Sequence, residues 1–177
     1  MVNGKQKGGQ YERDKARQLS KWITKDSRDN LLWRTASSGG MATVRYDNGE
    51  KVNLNNFGDI GYNDIDGQPF IEQVSIECKK YKDFELLDVL KENKTKSEIE
   101  TFWKETCKDA IRSERYPMLL MKKNYFPELL MLDVKLFSKV KDKFDLSEYI
   151  IWNGGAIVLL DNFLDRVSYD QFIERVN

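Results

Sequence analysis

Apolar residues at Ala16, Leu19 and Ile23 keep the three-to-four spacing of one helix face and predict a helix over residues 10–24. Glu12 falls on that same inward face, four positions before Ala16, beside a stripe formed by Arg13, Arg17 and Lys21. A carboxylate facing inward is costly unless something pairs with it. The polar, glycine-bearing residues 4–10 ahead of this helix read as an arm. Residues 31–35 predict a short strand, followed by the loop Ser37-Ser38-Gly39-Gly40. Residues 44–46 and 51–54 flank Asp47-Asn48-Gly49, the signal of a hairpin with a type I′ turn. A strand over 57–62 carries Asp59, and turn-forming residues fill 63–69. The clearest strand is 71–80, where Val74, Ile76 and Cys78 face one way and Ser75, Glu77 and Lys79 the other.

Residues 81–96 are charged and weakly patterned, a connector with a short helical piece. A helix is predicted over 97–115, with Ser97 as cap and Ile99, Phe102, Trp103, Ala110 and Ile111 on one face, ended by Pro117. Strands follow at 118–121, 129–134 and 156–160, with helices at 135–144 and 168–176. The order is helix, four or so strands, helix, strands, helix, so the fold class is α/β: a mixed β-sheet flanked by helices, in one domain spanning 1–177. No repeat or low-complexity tract marks a boundary.

Charge changes this picture by its distribution. The net charge is zero, yet residues 1–34 hold nine bases against four acids, and residues 145–177 hold two against six. A basic end of this kind can face phosphates, and Lys5, Lys7, Arg13, Arg17 and Arg34 are its candidate DNA contacts. The absence of histidine excludes His-based triads, His-metal nuclease sites and zinc held by imidazole. Two cysteines, Cys78 and Cys107, cannot hold a structural zinc alone and fit a reduced cytoplasmic setting. No apolar run reaches membrane-span length, and Lys5 and Lys7 lack the apolar stretch of a signal peptide. Any catalytic metal must therefore be bound by oxygen, which favours Mg2+, with Mn2+ as substitute.

Glu77 and Lys79, two positions apart on one strand face, share the same space. Pairing of the preceding strand would bring Asp59 alongside, and Glu12 can reach the same face from its helix. Three carboxylates and an ammonium gathered there conflict without a cation. Asp59 and Glu77 would bind a metal with the main-chain carbonyl of Cys78, and Lys79 would orient or deprotonate the attacking water. Asp64 and Asp66 are rival acids, but their sequence from Asn63 to Gly67 is turn-like.

Gly9, Glu12, Ser38-Gly39, Gly58-Asp59-Ile60 and Ile76-Glu77-Cys78-Lys79, in this order, resemble the PD-(D/E)xK nuclease superfamily. Within it the pattern is most similar to Holliday junction resolvases of archaeal and phage type, over a core of about residues 5–123. The resemblance implies a restriction-endonuclease-like fold, magnesium-dependent cleavage of branched DNA and a homodimer. It gives catalytic roles to Glu12, Asp59, Glu77 and Lys79, and places Ser38 near the scissile phosphate. Gly58 stands where the motif's proline would, and residues 41–56 form a stretch longer than a compact resolvase needs. The alternatives are a sequence-specific or genome-processing nuclease with the same site, and a non-catalytic DNA-binding module. A nucleotide-binding enzyme lacks support, since no glycine-rich phosphate loop is present.

Overall fold

Burial on both faces of one strand set organises the chain. In the computed structural model, residues 4–35, 41–82, 84 and 97–176 are described, without the side chains of 4–7, 41–43, 54 and 174–176. Five strands form a mixed sheet in the order β3 (Val74–Tyr81), β4 (Tyr116–Lys123), β5 (Leu129–Asp133), β7 (Gly155–Leu159), β6 (Tyr149–Trp152). Only β3 and β4 run parallel; the other neighbours are antiparallel. The parallel pair is joined by a crossover containing α4 (Glu98–Arg112), as a parallel connection requires.

Alternation along the strands divides the core in two. Val74, Ile76, Cys78, Met118 and Leu120 face a layer that includes Ala16, Leu19 and Ile23 of α1 (Gly4–Thr24). On the same layer lie Phe163 of α6 (Leu160–Arg166) and Phe172 of α7 (Tyr169–Val176). Leu119, Met121, Met131 and Ile157 face Ile99, Phe102 and Trp103 of α4. The run Met118–Met121 is apolar throughout because β4 is covered on both sides.

The structure corrects several sequence expectations. α1 begins at Gly4, so the predicted polar arm is its first turns. Residues 41–47 form a helix, α2 (Met41–Asp47), not a hairpin strand. Asp47-Asn48-Gly49 ends that helix: Gly49 N–H donates to the Tyr46 carbonyl at 2.9 Å and Glu50 N–H to the Arg45 carbonyl at 3.0 Å. This is a Schellman cap, and Gly49 at φ 77° supplies the left-handed residue that it shares with a type I′ turn.

Helix α3 (Gln68–Gln73) occupies residues assigned to a turn and to the start of the long strand. Ile111 is exposed, and α4 ends at Arg112, leaving Pro117 inside β4 before its ladder with β5 begins. The predicted helix 135–144 is only α5 (Val134–Ser138) followed by a 3-10 turn. Two further strands, β1 (Leu32–Arg34) and β2 (Ile60–Tyr62), pair with each other as a separate antiparallel sheet. Thus β2 is not laddered onto β3, as pairing of the Asp59 strand with its successor would require. Most of the predicted connector 81–96 lies outside the described residues.

Candidate active site

β3 is an end strand of the sheet, so one of its edges is open to the loop that precedes β2. Ile76 and Cys78 point their backbone groups to that edge. Asp59 docks there: its N–H donates to the Ile76 carbonyl at 2.7 Å, and its Oδ2 accepts the Cys78 N–H at 2.8 Å. The approach depends on Gly58, whose φ of 77° is left-handed. A Cβ there would lie 2.6 Å from the Ile76 carbonyl oxygen. Proline, fixed near φ −65°, cannot take this conformation, which explains why glycine stands at the motif's proline position. Thr35 secures the same loop, its N–H donating to the Asp59 carbonyl at 3.0 Å and its hydroxyl to the Gly58 carbonyl at 2.8 Å.

A buried arginine braces the loop from behind. Arg115 donates to the carbonyls of Ile71 at 2.8 Å, Val74 at 3.3 Å and Phe57 at 3.3 Å. Burial pushes its guanidinium down to about 10. Sequence patterning does not reveal it, because its partners lie far away along the chain.

Glu77 and Lys79 leave β3 on the face covered by α4. The Lys79 ammonium lies 3.4 Å from a Glu77 oxygen and 3.6 Å from one of Glu105. It also sits 6.0 Å from the centre of the Phe102 ring. Glu105 was not anticipated, although it lies three residues after the inward-facing Phe102. Cys78 between them faces the core, so its thiol is not part of the site. Glu12 is buried on α1 as predicted, but α1 packs on the Ile76 and Cys78 face of β3, so Glu12 acts on Asp59 and does not share the face of Glu77 and Lys79. Its partner is Arg34 of β1, whose Nε donates to the Glu12 carboxylate.

Electrostatics mark this cluster. Asp59 is 6 % exposed and Glu77 9 %. Burial, then the Glu77 charge, pushes the Asp59 carboxyl up to about 8, against the pull of the Cys78 N–H. Burial likewise raises Glu77, opposed by Lys79 and by a hydrogen bond from Asp59. Burial pulls Lys79 down, but Glu77, Asp59 and Glu105 together outweigh it and hold its pKa above the ordinary value. An ammonium so held is suited to carry charge against a phosphate, rather than to take a proton from water.

These donors fit a hard divalent cation. Two buried carboxylates that resist joint ionisation would be relieved by one, and the Cys78 carbonyl leaves β3 on the same edge as the N–H that holds Asp59. Among the described residues no group of three or more His, Cys, Asp or Glu side chains gathers to hold a metal. A metal here would therefore rest on two carboxylates, a main-chain oxygen and water. The rival acids are engaged elsewhere: Asp64 and Asp66 take Arg28 at 2.5 and 3.0 Å.

Arg13 and Arg17 are exposed on α1 as the stripe predicted, and with Arg34 they line a groove between α1 and β1. Lys5 and Lys7 lie on the first turns of α1, but their side chains, like the whole of Ser38, fall outside the described residues. Among the described residues no helix is long and apolar enough to cross a membrane.

A family model described as "Phage putative PDDEXK endonuclease" matches residues 3–159. No curated protein and no solved structure matches the chain.

Proposed function

Because the chain belongs to the phage PDDEXK endonuclease family, we propose that it is a metal-dependent DNA endonuclease whose site is Asp59, Glu77 and Lys79 with Glu12. The observation that carries this reading is the convergence of the buried Asp59 and Glu77 carboxyls and the Lys79 ammonium at the open edge of β3. Asp59, Glu77 and the Cys78 carbonyl would hold Mg2+, or Mn2+ in its place. Such an ion, when bound, lowers the pKa of its water and offsets charge on the phosphate.

The remaining chemistry falls to the chain's own residues. Lys79 stays protonated, orients the attacking water and offsets charge on a non-bridging phosphate oxygen. Glu105 and Phe102 limit the positions of that ammonium. Glu12 adds negative potential beside Asp59, and its ion pair with Arg34 holds it in place. Arg13 and Arg17, with Lys5 and Lys7, contact phosphates along the basic end. The resolvase pattern gives Ser38, which lies outside the described residues, a role near the scissile phosphate.

The substrate we favour is branched DNA, in particular the four-way junction, cut in the cytoplasm where such DNA is processed. A junction presents two phosphates related by a two-fold axis, and a chain with one site must pair to cut both, most simply as a C2 homodimer. Apolar residues remain for such a contact. In the segments after the catalytic strand, Leu130, Met131 and Phe137 are core, while Phe126, Ile150 and Ile151 are exposed. The last two lie on β6, the other end strand of the sheet. Cleavage assays on linear, flapped and four-way DNA, with and without Mg2+, test the reading. Equal rates on all three would move the function to a genome-processing nuclease with the same site.

A further inference from the structure

We infer that the groove between α1 and β1 binds an unpaired nucleotide, the Trp33 indole stacking on a base while Arg13 and Arg17 hold adjoining phosphates. Trp33 is the middle residue of β1, and it is 47 % exposed although its neighbour Leu32 is in the core. An indole left in water forfeits the burial that usually keeps tryptophan in a fold. The other tryptophans follow that rule. Trp22 packs among Phe70, Phe163, Tyr169 and Phe172, Trp103 is buried under the sheet, and Trp152 packs against the same cluster as Trp103.

Trp33 lines a groove of about 610 Å³ together with Arg13 and Arg17, which stand one turn apart on α1, and with Arg34. Asp29 is the acid among its lining residues. An exposed aromatic face amid guanidinium groups is the chemistry that holds single strands, because every base has a π-face. In a duplex the faces are already stacked on their neighbours, so the indole selects an unpaired base. Two residues link the groove to the catalytic cluster: Arg34 lines it and donates to Glu12, and Thr35, two residues after Trp33, donates to the Asp59 carbonyl. A strand anchored on Trp33 therefore leads toward Asp59.

The inference rests on the nuclease reading for its ligand, DNA, and goes beyond the four-way junction, whose arms are fully paired, by adding an unpaired strand such as a flap carries. Its test omits metal, so that binding is read without cleavage. The protein is titrated with a mixed-sequence single strand of about eight nucleotides and with the blunt duplex of the same sequence, following tryptophan fluorescence. The single strand should quench the exposed emission, and Trp33→Ala should abolish that quenching. By anisotropy of a labelled strand, Trp33→Ala should bind roughly tenfold more weakly, with Trp33→Tyr recovering most of the affinity. Unchanged affinity in Trp33→Ala, or equal quenching by blunt duplex, overturns the proposal. So does a Trp33→Ala protein whose sedimentation shifts without DNA while strand affinity holds, which would make Trp33 a contact between copies. A protein that binds strands through Trp33 yet cuts no DNA would fail the catalytic reading and leave this one standing.

Discussion

The carboxylate of Asp59 is held by the main-chain N–H of Cys78 at 2.8 Å, although the strand that follows Asp59 belongs to a different sheet from the strand carrying Cys78. One loop residue is thus brought beside Glu77 without a strand ladder. The loop can approach because Gly58 has no Cβ and sits at φ 77°. Gly58→Ala places a methyl against the Ile76 carbonyl and forces a left-handed alanine, a strain on the order of 1–3 kcal/mol before any clash. Thermal melts should register that loss, and cleavage should fall with it as Asp59 is displaced. Wild-type stability and rate in Gly58→Ala would show that the docking is dispensable.

A second expectation concerns pH. The folded Asp59 titrates at about 8, far above its ordinary value, because burial and then Glu77 oppose its charge. The folded state therefore binds this proton more tightly than the unfolded chain. Its contribution to stability is complete below about pH 4 and is lost as pH rises through about 8. Burial shifts Glu77 in the same direction. The Tm of EDTA-treated protein should fall between about pH 5 and pH 9, and Asp59→Asn should flatten that slope. Added Mg2+ should restore Tm most at the alkaline end, where the carboxylates are ionised. A metal-free Tm that climbs across this window contradicts the electrostatic account.

The exposed stripe of α1 makes a third prediction. Arg13→Ala with Arg17→Ala should lower the slope of log affinity against log salt by about one for each phosphate that is no longer neutralised, on any DNA sequence. An unchanged slope would return both arginines to the solvated surface.

These positions were not equally legible in the sequence. The inward face of α1, including Glu12, follows from helical spacing, and Glu77 with Lys79 from strand alternation; both periods are local. Asp47-Asn48-Gly49 misleads because a left-handed glycine closes a hairpin and caps a helix equally well. The placement of Asp59 depends on a backbone angle at Gly58 and on an open strand edge, neither of which leaves a periodic trace. Arg115 leaves no signal in the sequence, since its carbonyl partners lie at Phe57 and at Ile71 and Val74, more than forty residues away. Ile150 and Ile151 show no alternation because both are exposed on an end strand, so β6 was not anticipated.

Assembly gives a fourth prediction. Sedimentation at micromolar concentration should show a dimer, and Ile151→Lys should dissociate it and abolish paired cuts while leaving single nicks. A monomer that resolves four-way junctions at full rate would refute the two-fold arrangement.

The central claim, that Asp59, Glu77 and Lys79 cut DNA with a divalent ion, is met most directly by one cleavage series. Wild-type protein, Asp59→Asn, Glu77→Gln and Lys79→Ala are incubated with four-way and linear DNA in Mg2+ or in EDTA. Wild type should cut in Mg2+ and fail in EDTA. Asp59→Asn and Glu77→Gln should be inactive while still binding DNA, and Lys79→Ala should slow cleavage by at least about 100-fold. Full cleavage by Asp59→Asn, or undiminished cleavage in EDTA, would contradict the assignment.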